Sequence, residues 1–300
     1  MTLRRFAVSF LALALAAAPV LSGAGPLRAR LIERMKEKSV GDAVDPAQFV
    51  AGATRTTVSY GSSAAQSLDI YTPPHAQSAP VIVMVHGGGW RIGDKTSRGV
   101  VENKLKHWLP QGFVLVSVNY RMLPDAQVDV QAQDVATAVS YVESHAAEWG
   151  GDGGKVILMG HSAGAHLVAL LSADPSRVGS KWRGTVVLDS AAYDVAYVMQ
   201  GKHPKLYDDA FGTDPAYWAR LSPAMQIKPD AVPMMLVCSL KRPDHSCDKS
   251  KAFAEKLKAA GMEAPVVPQD LTHMEVNANL GLPGDYTAQV DAFIAARLKP

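Results

Sequence analysis

The stretch KVILMGHSAGAHL, residues 155–167, constrains this chain more than any other. Residues 155–159 form a β-branched and aliphatic run suited to a buried parallel strand. Residues 163–173 continue as a helix former with Leu167, Leu170 and Leu171 on one side. Between them lies Gly160-His161-Ser162-Ala163-Gly164. A strand and a helix joined so abruptly need a tight turn, with strained backbone and closely approaching neighbours, so small residues must flank the serine. Its hydroxyl then stands at the carboxyl end of the strand. An ordinary glycine-rich turn is the plainer reading of the same residues. The rest of the chain decides, because a serine reacts only among a base, an oriented acid and oxyanion donors.

Other apolar runs extend the pattern on both sides. Residues 55–60 and 67–71 read as an antiparallel pair, and residues 81–86, 113–119, 184–189, 232–238 and 264–269 as further strands. Helical spacing falls between several of them. In residues 129–149 it places Val135, Val139, Val142, Ala146 and Trp149 on one buried face, and residues 250–260 and 286–298 are further helices. Continuous apolar strands alternating with helices predict an α/β fold, a mostly parallel central sheet with helices on both faces. With 300 residues, 48% of them hydrophobic, the chain can bury one large core. The expected organisation is a domain over residues 54–300 carrying a cap-like insertion at about residues 190–231, preceded by a lead-in at residues 25–53. That lead-in includes the charged, helically spaced RARLIERMKEK.

The first 24 residues have the layout of a secretory signal peptide: a basic start, an apolar stretch, then small residues. Cleavage after Ala24 is expected, with the product exported to the periplasm or secreted. A retained anchor is the rival reading, although the apolar stretch is short for a span and contains Pro19. Removing these residues takes away Arg4 and Arg5 and no acid, so the net charge of +2 vanishes. Without a basic excess, a nucleic-acid partner is not expected. The two cysteines, Cys238 and Cys247, stand nine positions apart and form a disulfide candidate in an oxidising compartment; two free thiols are the alternative. Two thiols with only His245 nearby do not complete a metal site.

HGGGW, residues 86–90, follows another buried strand. Three consecutive glycines lose much backbone entropy on folding, and they suit a place where the chain approaches a ligand closely or aims successive N–H groups at it. Gly88 and Gly89, joined by the Ala163 amide behind the serine, are the expected oxyanion donors. His86 reads as a hydrogen-bonded scaffold residue. Among nine histidines the base is expected to be His273, which lies between the last strand and the final helix, at the carboxyl edge of the sheet. The acid is expected to be Asp244, in the loop proper after the strand at 232–238; Asp248, in the first turn of the next helix, and Asp189, after the preceding strand, are the competing candidates. Tyr193, Tyr197 and Trp90 are candidate pocket walls.

Taken in order, HGGGW, NYRMLP (residues 119–124), GHSAGA and the late aspartate and histidine resemble the esterase and lipase branch of the α/β-hydrolase superfamily. Within it, the likeness is to hormone-sensitive-lipase-like carboxylesterases, and SAGAHL is similar to kynurenine formamidase-like and feruloyl-esterase-like members. The branch usually carries an acidic residue before the serine, where this chain has His161. The resemblance implies a serine carboxylesterase acting on short-chain or aromatic acyl esters of small molecules through an acyl-enzyme on Ser162, with no metal or organic cofactor. An arylformamidase using the same triad and a catalytically silent binding module are the alternatives.

Overall fold

The computed structural model describes residues 43–299, so the expected signal peptide and most of the expected lead-in lie outside the described residues. Eight strands form one sheet: β1 (Thr54–Ser59), β2 (Ser67–Thr72), β3 (Ala79–Val85), β4 (Val114–Val118), β5 (Gly151–His161), β6 (Gly184–Leu188), β7 (Met234–Ser239) and β8 (Val266–Gln269). Their order is β1-β2-β4-β3-β5-β6-β7-β8. β1 and β2 are antiparallel, β2 meets β4 antiparallel, and every later neighbour is parallel. All eight strands coincide with the expected runs to within a few residues.

Alternation along the parallel strands feeds two cores. Val81, Val83 and Val85 of β3, with Val156 and Leu158 of β5, point into one cluster; Ile82, Met84, Ile157 and Met159 point into the other. A strand covered on both faces has no polar side to show, which is why these segments read as unbroken apolar runs. The first core receives α2 (Val128–His145) and α3 (Ala163–Ala173), and the second α1 (Arg98–Trp108) and the closing helix α9 (Asp285–Leu298). α1 has no counterpart among the expected helices. Its buried Val101, Leu105 and Trp108 have helical spacing, but Glu102, Lys104 and Lys106 interleave them and blur the pattern.

Between β6 and β7 the chain leaves the sheet and builds three short helices, α4 (Val195–Gln200), α5 (Lys205–Phe211) and α6 (Pro215–Arg220). α7 (Ser246–Ala259) then follows β7, and α8 (His273–Ala278) follows β8. No helix among the described residues is long and apolar enough to cross a membrane.

Candidate active site

Ser162 ends β5 and begins α3, at φ 55° and ψ −115°. A side chain in this left-handed region is strained, and the flanking glycines make room for it. A Cβ on Gly164 would run into the carbonyl oxygens of Val85 and His86, so the helix can approach β3 only through glycine. The hydroxyl Oγ lies 2.9 Å from His273 Nε2. On the other side of the ring, Nδ1 lies 2.6 Å from Asp189 Oδ2. The expected serine and histidine therefore meet across 111 residues of chain.

The carboxylate at the imidazole corrects the expectation. Asp189 occupies the acid's place, and Asp244 and Asp248 do not reach His273. Asp244 is forked by its own neighbour: Arg242 Nε donates to Oδ1 at 2.8 Å and Nη2 to Oδ2 at 2.5 Å. Asp248 lies in the first turn of α7, largely exposed beside Lys251. Asp189, by contrast, is fully buried directly after β6, with φ 58°. Its Oδ1 accepts the Ser239 amide at 2.9 Å, and its Oδ2 accepts from Arg242 Nη1 at 3.3 Å as well as from the imidazole. Burial alone would push this carboxyl up, but the His273 bond, the Arg242 charge and the Ser239 amide outweigh it and hold it at about 2. Aspartate tolerates left-handed backbone better than most side chains, which suits it to a turn that aims the carboxylate back along the strand ends.

His273 is the first residue of α8, a short helix between the last strand and the closing helix. Thr272 caps the helix: its hydroxyl accepts the Glu275 amide, and Glu275 Oε2 accepts the Thr272 amide at 2.8 Å. The T-x-x-E spacing that announces this box is present in the sequence. His161 fixes the same residue from below. Its Nε2 lies 2.9 Å from the His273 carbonyl, and the two rings stand 4.6 Å apart. A carbonyl only accepts, so His161 carries its proton on Nε2. Burial, reinforced by the neighbouring His273, pushes the His161 ring down to about 3, so it serves as a neutral donor.

The glycine loop lies across the serine. Gly89 and Ala163 line the same cavity as Ser162, and Gly88 (φ 123°) and Gly89 (φ 59°) both have backbone that favours glycine. Ala163 opens α3, so its amide has no carbonyl one turn earlier within the helix to bond. His86 is a scaffold residue: Nδ1 bonds the Gly87 carbonyl at 2.7 Å and its ring stacks on Tyr120. Trp90 is a buried wall of the cavity, with edge contacts to Tyr207 and Phe211 of α5. Its indole donates to His166 Nδ1 at 3.3 Å, and His166 Nε2 donates to the Leu221 carbonyl at 2.8 Å. The second histidine of HSAGAH thus pins the inserted helices to the body.

The serine's cavity measures about 390 Å³ and takes its outer wall from Leu206, Tyr207 and Pro243. Tyr193 and Tyr197 do not line it. They belong to an adjoining cavity of about 520 Å³ that shares Ala191 and Asp244 with it. Tyr193 is drawn away by stacking on Phe253 of α7, and the Tyr197 side chain is mostly exposed. Cys238, in β7, and Cys247, in α7, are joined in a disulfide across the loop that presents Arg242.

A protein-family model, BD-FAE, matches residues 68–257. Isoprenylcysteine alpha-carbonyl methylesterase ICME of Arabidopsis thaliana is 27% identical over 241 residues, covering 73% of this chain and 56% of that protein. Esterase LipQ of Mycobacterium tuberculosis is 28% identical over 228 residues, covering 70% of this chain and 54% of LipQ. The chain thus spans about half the length of these two relatives. Among solved structures, Thermogutta terrifontis esterase 2 phosphonylated by sarin superposes with a TM-score of 0.68 at 22% identity, covering 83% of this chain and 97% of that one. A truncated carbohydrate esterase from gut microbiota gives 0.69 at 21% identity, with 81% and 96% covered. At these identities the likeness establishes the fold, that of the α/β-hydrolases.

Proposed function

We propose, for a chain that belongs to the BD-FAE family, that it is a serine carboxylesterase acting on short-chain or aromatic acyl esters of small molecules. One observation carries this reading: Ser162 Oγ, both nitrogens of His273 and Asp189 Oδ2 form one continuous line of hydrogen bonds at the mouth of a cavity. Esterases among the relatives and structural neighbours support the same chemistry.

In the first step, Nε2 of His273 takes the proton of Ser162 as Oγ bonds to the ester carbonyl carbon, and the carbonyl electron pair moves onto oxygen. The Gly88, Gly89 and Ala163 amides are the donors for that oxyanion. One such donor is worth roughly 3 to 4 kcal/mol in the transition state. As the carbonyl re-forms, the bond to the alkoxy oxygen breaks and Nε2–H protonates the departing alcohol. Water, deprotonated by the same nitrogen, then attacks the acyl carbon; as the carbonyl re-forms the bond to Oγ breaks, Nε2–H returns the proton to Oγ, and the acid leaves. Asp189 holds the Nδ1–H tautomer throughout and stabilises the imidazolium that forms twice.

Trp90 and Tyr207 wall the serine's cavity, which favours a compact acyl group. The Cys238–Cys247 bridge favours an exported protein, periplasmic or secreted, because such bonds persist in oxidising compartments. The test is labelling with a fluorophosphonate, read by intact mass, together with rates on p-nitrophenyl acetate, butyrate and octanoate. A single adduct and ester turnover, both lost in Ser162→Ala, are expected, with octanoate the slowest. A folded protein that neither labels nor turns over ester refutes the reading.

A further inference from the structure

The loop after β7, where the acid was expected, delivers a cation instead. Arg242 stands three residues beyond the strand with its guanidinium mostly buried, its side chain 16% exposed. Nη1 donates to the Asp189 carbonyl at 2.8 Å and to Oδ2 at 3.3 Å, gripping the main chain and the carboxylate of one residue together. Nε and Nη2 are taken by Asp244. Four of the five N–H groups are thus committed within the protein, so that although Arg242 lines the serine's cavity, one N–H at most is left for a substrate anion.

Nη1 also stands 3.2 Å from His273 Nδ1. Nδ1 already donates to Asp189, and arginine cannot accept, so this is a cation held against the ring. It opposes the imidazolium that must form during attack. Asp244, on the far side of the guanidinium, offsets that opposition: with the imidazolium formed, these four side chains (Asp189, His273, Arg242 and Asp244) sum to no net charge, and Lys249 of α7 flanks Asp244. We propose that Arg242, clamped by Asp244, is a positioning residue for the relay, fixing Asp189 on Nδ1, with the cation and its carboxylate acting on the imidazolium of the reaction in opposite senses. This rests on the serine-hydrolase reading of the site. The other groups facing His273 are Ser162 and His161 from the β5 end and Asp189 from β6; Lys104 of α1 acts on His161, Tyr207 of α5 on Arg242, and Lys249 of α7 stands 3.9 Å from Asp244 Oδ2.

The test compares Arg242→Gln, Arg242→Lys and Asp244→Asn with the wild type. The readouts are the pH profile of kcat/KM on p-nitrophenyl acetate and the pH dependence of fluorophosphonate labelling at Ser162. Removing the cation should move the acidic limb to higher pH in Arg242→Gln. Leaving it unneutralised should move that limb to lower pH in Asp244→Asn. Both variants should lose kcat roughly tenfold, with KM little changed. Arg242→Lys, which keeps the charge but not the fork, should keep the limb near its wild-type position while kcat falls. Thermal melts confirm that each variant is folded, and the lysine variant supplies the comparison where the glutamine variant does not fold. Limbs that stay put or move together overturn the inference, as does a loss confined to KM, which would place Arg242 against the substrate. A wild type that labels while the limbs stay put overturns this inference alone; a wild type that never labels overturns the serine-hydrolase reading as well.

Discussion

Asp189 and Asp244 carry the same side chain and differ in what surrounds it. Asp244 has a guanidinium two residues away in its own loop and is satisfied locally. Asp189 is fully buried at the end of β6, where the Ser239 amide, Arg242 and the imidazole converge on its two oxygens. Replacing it with asparagine keeps the left-handed backbone acceptable and removes only the charge and the preferred tautomer. Asp189→Asn is expected to lower kcat on p-nitrophenyl acetate by about three to four orders of magnitude. Asp244→Asn, acting through Arg242, should lose only about one, as removal of a charge that acts at one remove. Steady-state kinetics on the two purified variants decide between them, and a larger loss at Asp244 would return the acid to the β7 loop. The position of Asp189 directly after the apolar run at 184–188 was legible, and so was that of Arg242 two residues before Asp244. Their pairing was not, because it depends on where a long side chain reaches in space.

At the scale of elements, the β7–α7 loop is held at both ends. The Cys238–Cys247 bridge closes it, and Ser239 Oγ donates to the Leu271 carbonyl at 2.6 Å, tying it to the segment that leads into His273. Closing a loop of this length stabilises a chain by about 2 to 3 kcal/mol through the unfolded state. Reduction should therefore shift the urea midpoint of the wild type downward and leave that of Cys238→Ser/Cys247→Ser unchanged. Equal midpoints with and without reductant would show that the bridge adds no stability. The two strands flanking the site were readable as apolar runs, but α1 and α8 were not. α1 hides its buried face among charges, and α8 is only six residues long, too short for periodicity to register. Its capping box is the local signal that marks it.

For the molecule as a whole, stability should carry the mark of Lys104. This fully buried lysine of α1 donates to the carbonyl and to the side-chain oxygen of Asn277, both at 2.8 Å, and so ties α1 to the end of the helix that presents His273. Burial holds it down to about 7. An unfolded lysine titrates near 10.4. Between these values the unfolded chain binds the extra proton, so stability rises with pH from about 7 to about 10 as the folded state sheds a buried charge. Urea midpoints measured from about pH 6.5 to about pH 9.5 should climb in the wild type relative to Lys104→Met. Parallel curves would mean that the lysine stays charged in the fold. The packing of the inserted helices is likewise a property of the whole: His166 at the elbow, Trp90 from the glycine loop and Tyr207 and Phe211 from α5 meet only when the insertion folds back onto the body.

By itself the sequence determined the parallel sheet, the placement of Ser162 at the end of its middle strand, and the glycine loop and histidine that converge there. Each is a local consequence of apolar period, backbone freedom or position at a strand terminus, and such signals survive in one dimension. Which aspartate faces the imidazole, which tyrosines leave the pocket, and what the two histidines of the elbow hold were decided by the tertiary structure. Those outcomes turn on competition among partners far apart in the chain, where a carboxylate goes to whichever cation or N–H group reaches it first and a ring to whichever surface buries it.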